Sequence, residues 1–340
     1  MPYSVSRPTI QSVAFTALIS SLVFCTRVIA SEWTSPLTEH GHPDLQGVWY
    51  FGSETPFQRP SDLGETATYD REKVRAIENE KQQQNVAADA PLDPDRSAPE
   101  AGVYIGFEAD FNFANKRNKL TPVNGEYRTS LIVDPPNGQI PAREGFEDFH
   151  AKRKAMGIDN YDGPEAQDAS ERCLVGGLAI PSLYPMPWNA NLQIVQNEHY
   201  VVLLTEMIHD TRIVRLNKEH AKQDQNIWMG DSIGYWDEDT LVVNTINFRP
   251  EHSAFLLRMS EDLQTTERFT PLNSTEILYS VELNDPQALS QSFTVERIIQ
   301  RRPASEPIYE FACHEGNYSM SGVLAGARME ERIASAEKSE

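Results

Sequence analysis

Between Leu192 and Cys313 the chain reads as one short strand after another. Apolar, β-branched and aromatic runs lie at Leu192–Gln196, Tyr200–Leu216, Ile233–Trp236, Thr240–Phe248, Thr265–Phe269, Glu276–Leu283, Phe293–Gln300 and Ile308–Cys313. Turn residues separate them, such as Asn197-Glu198 and the acidic Asp237-Glu238-Asp239, and no crossover helix intervenes. An earlier run, Tyr127–Val133, enters a Pro- and Asn-Gly-marked turn at Asp134–Gly138. Short strands at this spacing predict an antiparallel meander. A meander of this many strands hides its edges best by closing on itself. The expected fold is all-β and mainly antiparallel, a lipocalin-like meander barrel with short peripheral helices; a β-sandwich is the alternative.

Three polar stretches interrupt this pattern. Residues 60–100 combine a short helix over Tyr69–Gln84 with the Pro- and Asp-rich Ala88–Pro99, and residues 142–172 combine a helix over Phe146–Met156 with the Asn/Asp/Gly-rich Gly157–Gly163. Such segments bury little and are expected as surface excursions from one domain spanning residues 31–328. Residues 329–340 form a charged, helical tail.

The first thirty residues read as a cleavable address. The apolar Ser12–Phe24 follows Arg7 and precedes Val28-Ile29-Ala30, a signal-peptide pattern too short to span a bilayer. Cleavage near Ala30 predicts a periplasmic or secreted protein with no integral membrane segment. It removes Arg7 and Arg27 and no acid, moving the net charge from −20 to −22, with 28 basic against 50 acidic residues. A surface this negative excludes nucleic acid and anionic lipid as partners, since both require a basic footprint. Two cysteines remain, Cys173 and Cys313. In an oxidising compartment they are expected to pair, although Cys313 beside His314 also reads as a nucleophilic thiol.

The run Tyr200–Leu216 carries the densest chemistry. As a single strand it is apolar on both faces at its start, so Glu206, His209, Asp210 and Arg212 must be paired or must line a polar cavity. Either Glu206 or Asp210 pairs with Arg212 to fix register, or the group forms the floor of a pocket. Cys313-His314-Glu315-Gly316-Asn317-Tyr318 is a second cluster. His209 or His314 is suited to be a base, Asp210 or Glu315 to orient it, and Arg212 or Arg128 to hold developing negative charge. Trp188, Tyr184 and Trp236 are candidates to line a ligand cavity. These groups suit a lyase, isomerase or cyclase acting on a small, largely apolar oxygenated molecule. A carrier that binds such a molecule unchanged is the alternative.

Gly230-Asp231-Ser232-Ile233-Gly234 matches the G-x-S-x-G of serine hydrolases, but that nucleophile needs a strand, a sharp turn and a helix. The residues after Ser232 read as strand, so Gly230 and Gly234 are expected to be bend residues. No zinc, EF-hand, dinucleotide or phosphate-loop pattern occurs, so neither metal nor cofactor is expected.

Several segments together resemble an uncharacterised family of exported bacterial proteins. They are Gly41–Trp49 (GHPDLQGVW), Arg128–Pro141, Glu206–Arg212 (EMIHDTR), Gly230–Phe248 (GDSIGYWDEDTLVVNTINF) and Ile308–Tyr318 (IYEFACHEGNY). The resemblance implies export and a shared fold and supplies no catalytic roles.

Overall fold

The computed structural model describes residues 33–88, 91, 95, 97, 119–176, 180–185, 189–222, 226–253 and 257–338. The leader therefore lies outside the described residues, as does Trp188. Among the described residues no helix is long and apolar enough to cross a membrane.

Nine strands close into a barrel. After β1 (Gly47–Tyr50) come β5 (Asn191–Gln196), β6 (Tyr200–Thr205), β7 (Thr211–Leu216), β8 (Asp231–Asp237), β9 (Thr240–Ile246), β10 (Gln264–Asn273), β11 (Glu276–Asn284) and β12 (Phe293–Arg301). Each pairs with the next, and β12 returns to β1 through Trp49↔Arg301 and Tyr50↔Gln300. The meander order expected from the strand spacing is thus present. One pairing departs from it. An odd ring cannot alternate direction throughout, and the parallel pair falls at β7–β8, with Arg215↔Ile233 and Leu216↔Gly234. Fourteen residues, 217–230, separate the two strands, a connection of the length parallel strands require.

A long excursion separates β1 from β5 in the chain. It contains β2 (Thr68–Tyr69), α1 (Arg71–Ala88), β3 (Tyr127–Arg128), β4 (Ile132–Asp134) and α2 (Phe149–Ala155). β2 and β3 form a small separate sheet. Because β1 is short, it spans only the last residues of β12, and β4 pairs with the first, at Thr294 and Val295. Tyr127–Val133 is therefore two short strands in two sheets rather than one.

Alternation along each strand fills the lumen. Leu192 and Ile194, Val201 and Leu203, Leu241 and Val243, and Ile277, Tyr279, Val281 and Leu283 all point inward and are buried. Trp49, Phe51, Phe248, Phe269, Phe293 and Arg297 are, with Tyr279, the bulkiest of the fully buried side chains among the described residues.

Tyr200–Leu216 is two strands, not one. β6 and β7 form an antiparallel hairpin with Val201↔Val214 and Leu203↔Arg212. The turn between them places Ile208 at φ 52° and His209 at φ 48°. Left-handed backbone at a β-branched residue costs about 1–3 kcal/mol and persists only where its surroundings enforce it. The turn also switches parity, so Val201, Leu203 and Thr205 share the lumen with Arg212, Val214 and Leu216. The outward face is not buried: Ile213 is 57% exposed.

Ile308–Cys313 is irregular chain, and the terminal helix α3 runs over Ser319–Glu337, beginning ten residues before Met329. Cys173 and Cys313 are bonded to each other. That bond ties the segment before α3 to the excursion and settles the choice between disulfide and free nucleophile at Cys313.

Candidate acid–base site at the barrel rim

Where β6 turns into β7, Glu206 meets Tyr309, four residues before the Cys313–Tyr318 cluster, while His314 and Glu315 of that cluster make no hydrogen bond to the turn among the described residues. Glu206, at the start of the turn, is buried. Its Oε2 accepts from Asn191 Nδ2 at 2.5 Å and its Oε1 from the backbone N–H of Tyr309 at 3.3 Å. Asp210, at the end of the turn, is 6% exposed, and its Oδ2 accepts from Gly176 N at 2.8 Å. Gly176 lies three residues from Cys173, and Tyr309 four from Cys313. The disulfide and these two carboxylates therefore hold three chain segments against the strained turn.

Burial drives the Asp210 carboxyl up to about 6, while the Gly176 N–H and neighbouring His209 pull the other way. Desolvation wins because a single backbone donor replaces little of a carboxylate's hydration. His209 is exposed beside it. Beyond the disulfide lies an open pocket of about 440 Å³ lined by Ser170, Glu171, Glu310, Phe311, Cys313 and Asn317, among others. His314 and Glu315 are exposed and are not among its lining residues.

Arg212 belongs to a different group, inside the lumen. Its guanidinium forms a two-pronged pair with Glu267 of β10, with NH2 to Oε1 at 2.8 Å and NH1 to Oε2. Neither Glu206 nor Asp210 is its partner, contrary to expectation: the hairpin turn lifts both carboxylates out of the strands and leaves Arg212 to meet the inward-facing acid across the lumen. Tyr279 donates to Glu267 Oε1 at 2.7 Å, and Ser182 Oγ donates to the Tyr279 oxygen at 3.1 Å. Burial works against the Arg212 charge, but Glu267 outweighs it and holds the guanidinium above its ordinary value. Burial, with Glu267 adding, drives Tyr279 well up.

Arg297, opposite Tyr279 in the β11–β12 register, has neutral partners instead. It donates to the carbonyls of Phe51 at 2.8 Å and of Leu183, and its buried Nε finds no acceptor among the described residues. Desolvation lowers it to about 10.

The remaining candidates are dispersed. Arg128, on β3, pairs with Glu296 of β12 at 2.7 Å. Tyr184 packs against Phe57 in the core, and Trp236 stacks on His42 at 5.2 Å. Both leave a buried polar atom, Tyr184 Oη and Trp236 Nε1, without a described partner. Ser232 is buried on β8 and shares a 2.9 Å hydrogen bond with Thr245 Oγ1. The strand continues to Asp237, so the nucleophile elbow of a hydrolase is absent at this serine.

Among the described residues no group of three or more His, Cys, Asp or Glu side chains is placed to hold a metal ion. Scans against protein-family models and the curated proteins find no match to this chain.

Three features escaped the sequence reading. Glu267 and Tyr279 occupy inward positions that alternation alone marks, between Thr265 and Phe269 and between Ile277 and Val281. What alternation does not reveal is which strands face each other across the lumen. Asp231 gathers Arg215 NH2 at 2.6 Å, His220 Nδ1 at 3.0 Å and Ala221 N at 2.8 Å, tying the crossover segment to the barrel wall. His252 is buried with Nε2 on the Trp228 carbonyl and Nδ1 without a partner among the described residues, and burial lowers it to about 4.

Proposed function

We propose that this is an exported enzyme of proton-transfer chemistry, a lyase, isomerase or cyclase, with Asp210 as its acid/base group. The observation that carries this reading is the Asp210 carboxyl itself, buried, held by one backbone N–H and titrating near 6. A carboxyl tuned to that range exchanges protons efficiently near neutral pH. Exposed His209, the residue before it, relays the proton to solvent. Glu206 keeps the turn in its strained conformation rather than reacting, since both its oxygens accept hydrogen bonds. The substrate class is a small, largely apolar oxygenated molecule, and the compartment is periplasmic or extracellular. The leader-like N-terminus and the bonded cysteines support that location.

A second reading, a carrier without catalysis, is favoured by the saturation of Arg212 and Glu267 by each other, which leaves the Arg212 guanidinium committed to Glu267 rather than available to stabilise developing charge. One experiment separates the two. Purified protein is incubated with cell extract and the metabolites profiled, beside Asp210→Asn and Glu206→Gln. The enzyme reading expects one compound consumed and another formed, lost in Asp210→Asn, with a rate that depends on a group near pH 6. Enrichment of a compound without conversion favours the carrier.

A further inference from the structure

The terminal helix α3 has two unlike faces. Met320, Leu324 and Ala327 are half-buried towards the body of the protein, and Arg328 is anchored there by donating to the carbonyls of Tyr161 at 3.0 Å and Asp162 at 3.3 Å. No residue of the helix is fully buried. The opposite face carries Gly322, Gly326, Met329 and Ile333, spaced by four, three and four residues. Met329 is 54% exposed and Ile333 50%. A Cβ on either glycine would meet nothing within 4 Å, so the face is open along this stretch. Spacing of this kind brings successive residues onto one seam that another helix can pack against.

Charge identifies the other helix. At 100° per residue, Glu330 and Glu337 flank the seam on one side and Arg332 on the other. Antiparallel self-pairing sets like flank against like, Arg332 against Arg332 and Glu330 against Glu337. Parallel self-pairing sets unlike flanks together, and the residue five positions beyond Arg332 on a second copy is Glu337. That offset is the one at which flanking charges bridge a parallel coiled coil.

We infer that α3 is a self-association surface through which two copies of this chain pair in parallel, with two symmetric Arg332–Glu337 bridges between copies. The glycines allow the helix backbones to approach closely, and Met329 and Ile333 supply the apolar contact. A helix about 28 Å long offers less than the roughly 800 Å² per partner of a standard interface, so the pairing is weak and concentration-dependent.

Sedimentation of the full-length protein across a concentration series tests this. The wild type is expected to shift reversibly from monomer to dimer in the micromolar range. Arg332→Glu should raise the dissociation constant at least tenfold, and Arg332→Glu with Glu337→Arg should restore it. Met329→Asp should abolish pairing while far-ultraviolet circular dichroism stays unchanged. Met329→Cys should cross-link to its counterpart on a second copy, which only parallel pairing brings alongside. A wild type monomeric at every concentration, or a dimer indifferent to Arg332→Glu, overturns the inference.

Discussion

Arg212 and Glu267 clasp each other across the lumen from β7 and β10, with β8 and β9 between them in the sheet. Both are essentially excluded from solvent. Their attraction offsets the desolvation of each, so removing one partner is far more damaging than removing both. Glu267→Ala should lower unfolding stability by about 3–5 kcal/mol, because it leaves a buried guanidinium unpaired. The double variant Arg212→Met with Glu267→Leu should be markedly more stable than Glu267→Ala. Denaturant titration of both variants measures the difference; a double variant that loses as much as Glu267→Ala or more would contradict the pairing.

Two buried groups give opposing pH dependence. Asp210 titrates near 6 in the folded protein against an ordinary 3.8, so its contribution is fully present below about 3.8 and lost as pH rises through 6. His252 titrates near 4 against an ordinary 6.5, so its contribution is present above about 6.5 and lost as pH falls through 4. Between pH 4 and 6 the two slopes cancel. Asp210→Asn removes the first alone. Its stability should then rise with pH across that window at up to about 1.4 kcal/mol per unit relative to wild type, leaving it the more stable protein at pH 7. Unfolding midpoints from pH 4 to 7 report this directly, and parallel wild-type and variant curves would contradict it.

Alternation was enough to read the barrel from the chain, because hairpin strands with one buried face advertise their length and direction. β8 and β9 emerge nearly complete from Ile233–Phe248. Parity across a turn was not legible. Nothing in Glu206–Asp210 announces that two non-glycine residues will adopt left-handed backbone, and without that the inward set of β7 is assigned to the wrong phase. The choice of partners across the lumen depends on barrel closure, a non-local property, so Arg212 was visible as a buried charge while Glu267 was not. The meeting of Tyr309 and Glu206 is of the same kind, set by a disulfide joining residues 140 apart.

That disulfide supports the rim as well as the fold. Closing so long a loop is worth about 4–5 kcal/mol in the chain-entropy model. Cys173→Ser with Cys313→Ser should lose a stability of that order. It should also raise hydrogen exchange at the amides of Gly176 and Tyr309, the donors to Asp210 and Glu206. Loss of stability without faster exchange at those two amides would show that the bond serves the fold and not the site.

Gly230 separates backbone strain from crowding. It sits at φ 69°, and a Cβ there would lie 2.6 Å from Thr245 Cγ2, 2.9 Å from the Ile246 carbonyl and 2.9 Å from Phe248 Cε1. Gly41 has a similar φ of 78°, and a Cβ there would meet nothing within 4 Å. Gly41→Ala should therefore cost only the left-handed penalty, about 1–2 kcal/mol. Gly230→Ala adds overpacking between β8 and β9, a further 1–3 kcal/mol or so. The Ile246 carbonyl and the packed Phe248 ring cannot swing aside as a surface side chain would, so relaxation should recover little of that difference. Thermal unfolding of both variants measures it, and equal shifts would show that the barrel yields at this corner.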